Sequence, residues 1–449
     1  MLPENFIQSV LHVKGFDRQA FESVHQAAKP ITSIRINTAK KTDLFSEKNE
    51  EQVTWCKHGF YIKERPSFTL DPLFHAGAYY VQEASSMFLW HILEQIFASD
   101  TEKKILDVCA APGGKSTLLA NYFSNGLVVS NEVIKSRAAI LVENITKWGT
   151  GNCIVTNNDT AHFSTIQGYF DALVIDAPCS GSGMFRKDAT AVEEWSLNNV
   201  AVCSQRQQKI IADVWHSLKE NGYLIYSTCS YSEEENERIT DWIMDNFKAT
   251  SIAIPIPTEW GIVATQSNKH KAFGYRFYPD KIKGEGFFIA VLQKNESEKN
   301  SKYKHQQIAK PSKQENELIE NFLTKNNAVK TFKHANEIKC INPLFLSDVE
   351  ILSNYLYIKK AGTTLGELKG KDFVPSHELA VSTLNLFNIA TIELNREEAI
   401  EYLRKKEIHV SASKGIVLVT YKGLGLGWIK VLPNRINNYY PNEWRILKN

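Results

Sequence analysis

The chain has 449 residues, of which 43% are hydrophobic and 23% charged, the composition of a globular protein long enough for two to four domains. It contains no run of about 18 apolar residues and no basic, then apolar, N-terminal stretch, so we expect neither a transmembrane helix nor a secretory signal. Seven scattered cysteines without a C-x-x-C pair argue against a disulfide framework or a metal site and favour a cytoplasmic protein. A net charge of +2 does not by itself predict a polyanionic partner.

Residues 1–95 are predicted to form a small α+β module. Polar and apolar residues alternate at 33–37, as in a half-buried strand, and an apolar helix is expected at 87–97. Further elements of this module are expected at 21–28 (a helix), 44–48 and 61–64.

Residues 96–293 alternate apolar strands with helical stretches. This order predicts a Rossmann-like α/β core with a mostly parallel, doubly wound sheet, in which ligands bind beyond the carboxyl ends of the strands. The strands are expected at 105–108, 127–131, 153–156, 172–175 and 223–226, and the helices at 136–147, 199–218 and 233–246.

The first strand of this core ends in a glycine turn, Pro112-Gly113-Gly114, which leads into an apolar helix. Such a turn lets backbone N–H groups approach a nucleotide-like ligand. Two interpretations are open. The end of a phosphate-binding P-loop fits Gly114-Lys115-Ser116, but Cys109 stands where its first glycine should be. The other interpretation is an adenosine-binding loop of a methyltransferase.

Polar or reactive residues follow five consecutive strands of the core, and we expect them to meet at one edge of the sheet. An acid at Glu132 could accept two hydrogen bonds from a ribose diol, and Asp159 could bind an adenine amino group. The series therefore favours an adenosine-containing cofactor over a P-loop. The five residues are Asp107, Glu132, Asp159, Asp176 and Cys229.

Two cysteines stand at adjacent strand ends, Cys179 in D-A-P-C-S-G and Cys229 in S-T-C-S. A thiolate that adds to carbon 6 of a pyrimidine turns carbon 5 into a nucleophile able to attack an electrophilic methyl group, and an acid beside N3 stabilises the charge. A nearby cation such as Lys115 would favour the thiolate. The spacing does not rank the two thiols, so either could be the nucleophile.

Three segments together resemble the Sun/nucleolar-protein family of RNA cytosine-C5 methyltransferases: D-V-C-A-A-P-G-G-K-S-T at 107–117, D-A-P-C-S-G at 176–181 and S-T-C-S at 227–230. The resemblance implies S-adenosylmethionine as cofactor, Cys229 as nucleophile, Cys179 in release of the methylated base and Asp176 at both cofactor and cytosine. The cofactor contacts that it implies are Cys109, Ala110, Ala111, Pro112, Gly113, Gly114, Lys115, Glu132, Asp159 and Asp176.

The chain beyond the core is predicted to comprise a polar linker at 294–316, an α+β module at 317–390 and a β-rich module at 391–449. A helix is expected at 317–324. From residue 401 onwards nine Lys and Arg stand against three acids, which is compatible with nucleic acid. Four segments resemble bacterial small-subunit ribosomal RNA methyltransferases: F-G-Y-R-F-Y-P-D-K-I-K-G-E-G-F-F at 273–288, P-S-H-E-L-A at 375–380, G-W-I-K at 427–430 and N-Y-Y-P at 438–441. The resemblance implies C-terminal RNA-binding modules, the last of which is related to PUA domains.

The resemblance therefore implies ribosomal RNA as partner, within the small subunit or an assembly intermediate, with RNA-binding roles for the modules at 1–95 and 317–390 and with no obligate protein partner evident. Three alternatives stay open at this point. The chain could methylate transfer RNA, it could be an RNA-dependent P-loop ATPase, or it could be a non-catalytic RNA-binding factor on a methyltransferase scaffold.

Overall fold

The structure is a computed structural model that describes residues 2–27, 31–40, 51–98, 100–298, 302–324, 327–370 and 372–447. The element expected at 44–48 lies outside these residues. No helix among the described segments is long and apolar enough to cross a membrane.

The N-terminal module is built on a three-stranded antiparallel sheet in the order β2-β1-β3. The predicted strand at 33–37 and the predicted helices at 21–28 and 87–97 are confirmed within a few residues, and the short element expected at 61–64 overlaps a strand. The elements are α1 (Glu4–Val10), α2 (Arg18–Gln26), β1 (Thr32–Ile36), β2 (Gly59–Ile62), α3 (Pro72–His75), β3 (Tyr79–Val81) and α4 (Phe88–Phe97).

The core contains all the predicted strands and helices. Its elements are β4 (Lys104–Asp107), α5 (Gly114–Tyr122), β5 (Leu127–Asn131), α6 (Lys135–Trp148), β6 (Cys153–Thr156), β7 (Phe170–Asp176), α7 (Ala189–Glu194), α8 (Leu197–Trp215), β8 (Leu218–Thr228), α9 (Glu237–Asn246), β9 (Ala249–Ser251), β10 (Val263–Gln266), β11 (Phe273–Phe277) and β12 (Phe287–Lys294).

The core strands lie in one sheet of ten, in the order β10-β11-β12-β8-β7-β4-β5-β6-β15, where β15 (Ile358–Ala361) comes from the segment after the core and β9 is paired to β12. Only the five central strands, β6-β5-β4-β7-β8, are parallel. The chain runs outward from β4 through β5 to β6 and then returns to β7 on the other side of β4. This reversal makes the carboxyl end of β4 a topological switch point, where open α/β sheets bind their ligands.

The central strands are apolar on both faces because both faces are covered. Ile105 packs in one hydrophobic cluster with α4 of the N-terminal module, whereas the next residue, Leu106, packs in a second cluster. Phe332 and Leu352 from the segment after the core belong to that second cluster. The flanking modules therefore help to bury the central sheet.

The segment after the core differs from the predicted arrangement. The helix expected at 317–324 spans Lys313–Glu320, because Ser312 and Glu315 form a capping box that starts it four residues earlier, inside the predicted linker. The strand β15 pairs with β6 and so extends the core sheet. The elements are α10 (Lys313–Glu320), β13 (Lys330–His334), β14 (Glu337–Ile341), α11 (Leu346–Tyr355), β15 (Ile358–Ala361), β16 (Thr363–Lys369), β17 (Asp372–Pro375) and α12 (His377–Val381).

The last module contains a four-stranded sheet in the order β18-β19-β20-β21, as its β-rich pattern predicts. Its two long central strands form an antiparallel pair, with Leu418 opposite Trp428. The elements are β18 (Ala390–Glu393), α13 (Arg396–Leu403), β19 (Gly415–Tyr421), β20 (Leu424–Leu432) and β21 (Arg435–Asn438).

Candidate active site

The glycine turn lies at the switch point, between β4 and α5. Gly113 has a φ of +116°, which favours glycine, and an added Cβ would come within 3.2 Å of Leu141. The turn is fixed from α6, where Arg137 donates to the carbonyl of Ala111 at 2.7 Å and Asn144 donates to that of Pro112 at 2.8 Å. The backbone of the turn is therefore rigid before any ligand binds.

A cavity of about 560 Å³ opens beside this turn; we call it the central cavity. Its volume suits a small ligand. One wall is the N-terminal module, including Tyr80 and Gln82, and the other is the core. Of the residues predicted to contact the cofactor, those that line the cavity are Cys109, Ala110, Ala111, Pro112, Gly114, Lys115 and Asp176.

Gly113, Glu132 and Asp159 are not among the lining residues. Glu132 is only 3% exposed; its carboxylate accepts from the backbone N–H of Ile134 at 2.9 Å and lies 3.5 Å from the Arg137 guanidinium. Asp159 is exposed and accepts from the N–H of Ala161, capping a short 3-10 helix. Both acids thus have structural partners, and their contacts with a ribose and an adenine stay predictions.

Asp107 is fully buried at the end of β4, and one wall of the cavity includes it. Its Oδ2 accepts from Ser116 Oγ at 2.6 Å, whereas its Oδ1 has no hydrogen-bond partner among the described residues. Burial raises the pKa of Asp107 to about 7, although the Ser116 hydrogen bond and the Lys115 charge lower it in part. A buried acceptor without a partner suits a ligand that brings a hydrogen-bond donor.

Asp176 ends β7 with its side chain 41% exposed toward the cavity. Its Oδ2 lies 2.8 Å from Lys115 Nζ, and its Oδ1 accepts from Ser227 Oγ at 2.9 Å. Lys115 also stands over the ring of Phe287 at 5.1 Å. The carboxylate is therefore held at the mouth of the cavity by a cation and a hydroxyl and still has free lone pairs for a ligand.

The two predicted thiols meet. The Sγ atoms of Cys179 and Cys229 are 2.8 Å apart, because Asp176 pairs with Ser227 in the parallel ladder and the loops after β7 and β8 run side by side. Cys229 lines the cavity and Cys179 does not. The hydrogen bond with Cys229, together with burial, raises the pKa of Cys179 well above its usual range.

Glu235 is a buried residue of the site that the sequence patterns did not single out. Its carboxylate accepts from the N–H of Ser180 at 2.8 Å and from the hydroxyls of Ser180 and Ser230 at 2.5 and 2.6 Å. These serines directly follow Cys179 and Cys229. One carboxylate therefore ties the two cysteine loops together, and burial raises its pKa.

The fold and the site define a class of protein, the methyltransferases that use a nucleoside-containing cofactor. They combine a doubly wound sheet with a glycine turn at its switch point, buried acids that can accept hydrogen bonds from the cofactor, and a pair of thiols beside them. Three family models match in turn. They describe the N-terminal domain of the 16S rRNA methyltransferase RsmF at 2–84, the 16S rRNA methyltransferase RsmB/F at 94–293, and the methyltransferase RsmF PUA domain at 389–446.

Curated relatives match over almost the whole chain. The ribosomal RNA small subunit methyltransferase F of Psychromonas ingrahamii is 30% identical over 98% of this chain and 97% of its own length, and that of Aliivibrio fischeri is 31% identical over the same shares. The chain therefore belongs to the ribosomal RNA small subunit methyltransferase F (RsmF) family. The predicted resemblance and the predicted PUA-like module are confirmed.

Solved structures agree with the predicted fold. A methyltransferase homologue from Pyrococcus horikoshii is 27% identical with a TM-score of 0.55, over 65% of this chain and 95% of that one. The NSun6 structure from the same organism, solved with SFG, has a TM-score of 0.54 at 18% identity, over 66% of this chain and 99% of that one. The Rossmann-like fold class is thereby confirmed.

Family membership confirms S-adenosylmethionine as the cofactor and excludes the P-loop interpretation of the glycine turn. The residues present fit this group. Asp107 and Asp176 would repel a triphosphate, whereas they suit a cofactor that carries an ammonium group and hydroxyls but no phosphate. The turn from Cys109 to Lys115 is the surface that would hold it.

Proposed function

We propose that this protein methylates carbon 5 of a cytosine in small-subunit (16S) ribosomal RNA through a covalent adduct between the enzyme and the base. The observation that carries the proposal is the contact between the Cys179 and Cys229 thiols beside Asp176 at the mouth of a cofactor-sized cavity. The ribosomal RNA substrate is supported by the matching family models and the full-length relatives, which are small-subunit ribosomal RNA methyltransferases.

Cys229 is the nucleophile in this proposal. Its Sγ forms a bond to carbon 6 of the ring, and the electron pair of the 5,6 double bond becomes available at carbon 5. Asp176 faces ring atom N3 and shares a proton with it, so that the negative charge that thiolate addition sends to N3 is neutralised there. When bound, S-adenosylmethionine supplies the electrophilic methyl group that carbon 5 takes up. Support for ranking Cys229 first comes from its position on the cavity wall, where Cys179 is absent.

Cys179 assists the release step. After methyl transfer a water molecule takes the proton on carbon 5, the electron pair of that C–H bond re-forms the 5,6 double bond, and the bond between carbon 6 and Sγ breaks with its electron pair on the sulfur of Cys229. The Cys179 thiol is in contact with this sulfur and is well placed to donate a proton to the departing thiolate. Its raised pKa keeps Cys179 protonated, so it does not compete as a nucleophile.

The target base must leave its stack to enter the cavity, at a cost of a few kcal/mol that is lowest in a loop or single strand. The positively charged C-terminal region and the PUA domain supply RNA contacts in this proposal, as do the modules at 1–95 and 317–390. Binding is therefore expected to weaken steeply as salt rises.

The test combines tritiated cofactor with 16S ribosomal RNA, small subunits and transfer RNA. Wild-type protein should label carbon 5 of cytosine in ribosomal RNA. Cys229→Ala should abolish labelling, and Cys179→Ala should accumulate a protein–RNA adduct that survives a denaturing gel. Full turnover by Cys229→Ala would refute the assignment of the thiols, and labelling of transfer RNA alone would refute the ribosomal substrate.

A further inference from the structure

Glu285 is an acidic residue of the central cavity that the reaction described above does not use. It lies just before β12, and the antiparallel pairing of Phe288 with Thr228 brings it to the end of β8, where Cys229 stands. The approach is close. A Cβ added to Gly286 would lie 2.7 Å from the Cα of Gly183, whose N–H donates to the carbonyl of Cys229 at 2.8 Å.

The backbone of Glu285 is fixed by the N-terminal module. Its N–H donates to Glu83 Oε1 at 2.9 Å, and its carbonyl accepts from Ser85 Oγ at 2.9 Å. Both main-chain groups are thus satisfied by one short segment of the N-terminal module, residues 83–85, which fixes the backbone position of Glu285. The side chain lines the same cavity as Cys229 and Asp176.

The carboxylate itself is poorly satisfied. It is only 3% exposed, and its Oε1 has no hydrogen-bond partner within the described part of the chain. Two cations stand nearby: Arg186 Nη1 donates a long hydrogen bond to Oε2 at 3.5 Å, and Lys187 Nζ lies 3.9 Å from Oε1, which is beyond hydrogen-bond distance. They favour the ionised form against burial, which raises the pKa of Glu285. A buried acceptor without a donor is costly unless a ligand provides one.

We propose that Glu285 distinguishes cytosine from uracil by accepting a hydrogen bond from the exocyclic amino group of the target cytosine. This inference rests on the proposed function. Cytosine carries a donor on carbon 4, next to the N3 atom that Asp176 faces, whereas uracil carries an acceptor there. Uracil would set its oxygen against a buried carboxylate, and the lost hydrogen bond would leave Oε1 of that carboxylate without a donor.

The test uses full-length protein after the methylated cytosine has been mapped. Two RNAs that carry C or U at that position are compared by kcat/KM for methyl transfer. Wild-type protein should prefer C by about 10⁴-fold, the discrimination of sites built to hydrogen-bond a polar group. Glu285→Gln should reduce this ratio at least tenfold, because a carboxamide can accept from the cytosine amino group or donate to the uracil oxygen.

Glu285→Ala provides a second measurement, since it removes the acceptor without adding a donor; its rate on C should fall while its rate on U does not. Glu234→Gln is the matched control, because its carboxylate pairs with Arg238 on the surface, and its ratio should equal that of the wild type. Calorimetry with S-adenosylmethionine reports whether each variant keeps its cofactor site.

An unchanged C-to-U ratio in Glu285→Gln would overturn the inference and leave Glu285 as an ion-pair partner of Arg186 and Lys187. Loss of cofactor binding in both variants would also overturn it, because the residue would then be needed for the fold. Failure of the wild type to methylate any cytosine would instead refute the proposed function, and the inference with it.

Discussion

The carboxylate of Glu235 is expected to hold the two cysteine loops in register, and Glu235→Ala tests this role. The substitution removes the acceptor for four donors, which are the N–H and hydroxyl of Ser180, the hydroxyl of Ser230 and the side-chain amide of Gln207. The Ser180 and Ser230 hydroxyls are 3.3 Å apart and can bond to each other, and the Gln207 amide keeps the carbonyl of Pro178 at 3.0 Å. The N–H of Ser180 is left buried without a partner.

One buried orphan donor costs about 1–3 kcal/mol, and the space left by the side chain adds a further cost, so we expect the free energy of unfolding to fall by about 2–4 kcal/mol. The loop after β7 also loses the tie that sets Cys179 against Cys229. A displacement of about 1 Å can lower a rate by about 100-fold, and kcat/KM should fall by that order.

Glu235→Gln separates these effects, because it keeps the shape of the side chain. Its carboxamide oxygen can occupy the Oε1 position and accept from Ser180 N–H, while the Ser180 and Ser230 hydroxyls rotate to accept from its NH₂ group. We expect a loss of roughly 1 kcal/mol in unfolding free energy and a fall of less than about tenfold in kcat/KM.

Chemical denaturation measures the unfolding free energies, and single-turnover methyl transfer measures the rates. Formation of the covalent adduct in a Cys179→Ala background reports on Cys229 alone. Glu234→Ala, one residue away on the surface, serves as the matched control. The reasoning would be refuted if Glu235→Ala matched the wild type in both measurements, or if Glu235→Gln were the more damaged variant.

Three other changes test the remaining contacts. The folded-state pKa of Asp107, about 7, lies above its ordinary value of 3.8, so the native state binds the proton more tightly than the unfolded state does. The free energy of unfolding should therefore fall as pH rises from about 4 to 7, by up to roughly 4 kcal/mol. Asp107→Asn should lose this pH dependence in denaturant titrations at several pH values, and the same pH dependence in wild type and variant would contradict the reasoning. Lys115→Met removes the cation that pairs with Asp176 and should lower kcat/KM about 10- to 100-fold. The unfolding free energy should change by less than about 1 kcal/mol, because that ion pair is partly exposed. A kcat/KM equal to that of the wild type would exclude a role of Lys115 in the site. Arg276→Met leaves the carboxylate of Glu237 buried without its cation and with a hydrogen bond from the Thr265 hydroxyl, which should cost about 3–5 kcal/mol in unfolding free energy. A double variant that also replaces Glu237 by Met should recover most of the loss.

The parallel centre of the fold and its reactive edge could be predicted from the sequence because each depends on a local pattern. An apolar run that ends at Asp107 or Asp176 marks where a strand ends, and the βαβ order places all such ends on one edge. The glycine turn after Asp107 identifies the switch point by the same logic. Three of the five residues expected at this edge, Asp107, Asp176 and Cys229, do line one cavity.

The parts that escaped prediction depend on distant pairs or on a cap. Glu235 lies in a run of acids that looks like a solvated helix start, and only the approach of Ser180, 55 residues away, gives it a buried role. The antiparallel strands β12 and β15 carry no local signal of which neighbour they join. The early start of α10 could have been predicted from the sequence, because Ser312 and Glu315 have the spacing of a capping box.

The N-terminal module is part of the catalytic structure as well as a candidate RNA-binding surface. Its Arg35 is fully buried, and the guanidinium donates to Gln82 at 2.8 Å, to Thr117 at 2.6 Å and to the carbonyl of Gly114 at 3.3 Å. Those last two partners belong to the first turn of α5, directly after the glycine turn. A core without residues 1–95 would lose this support, and the backbone that approaches the cofactor would lose the rigidity on which methyl transfer depends.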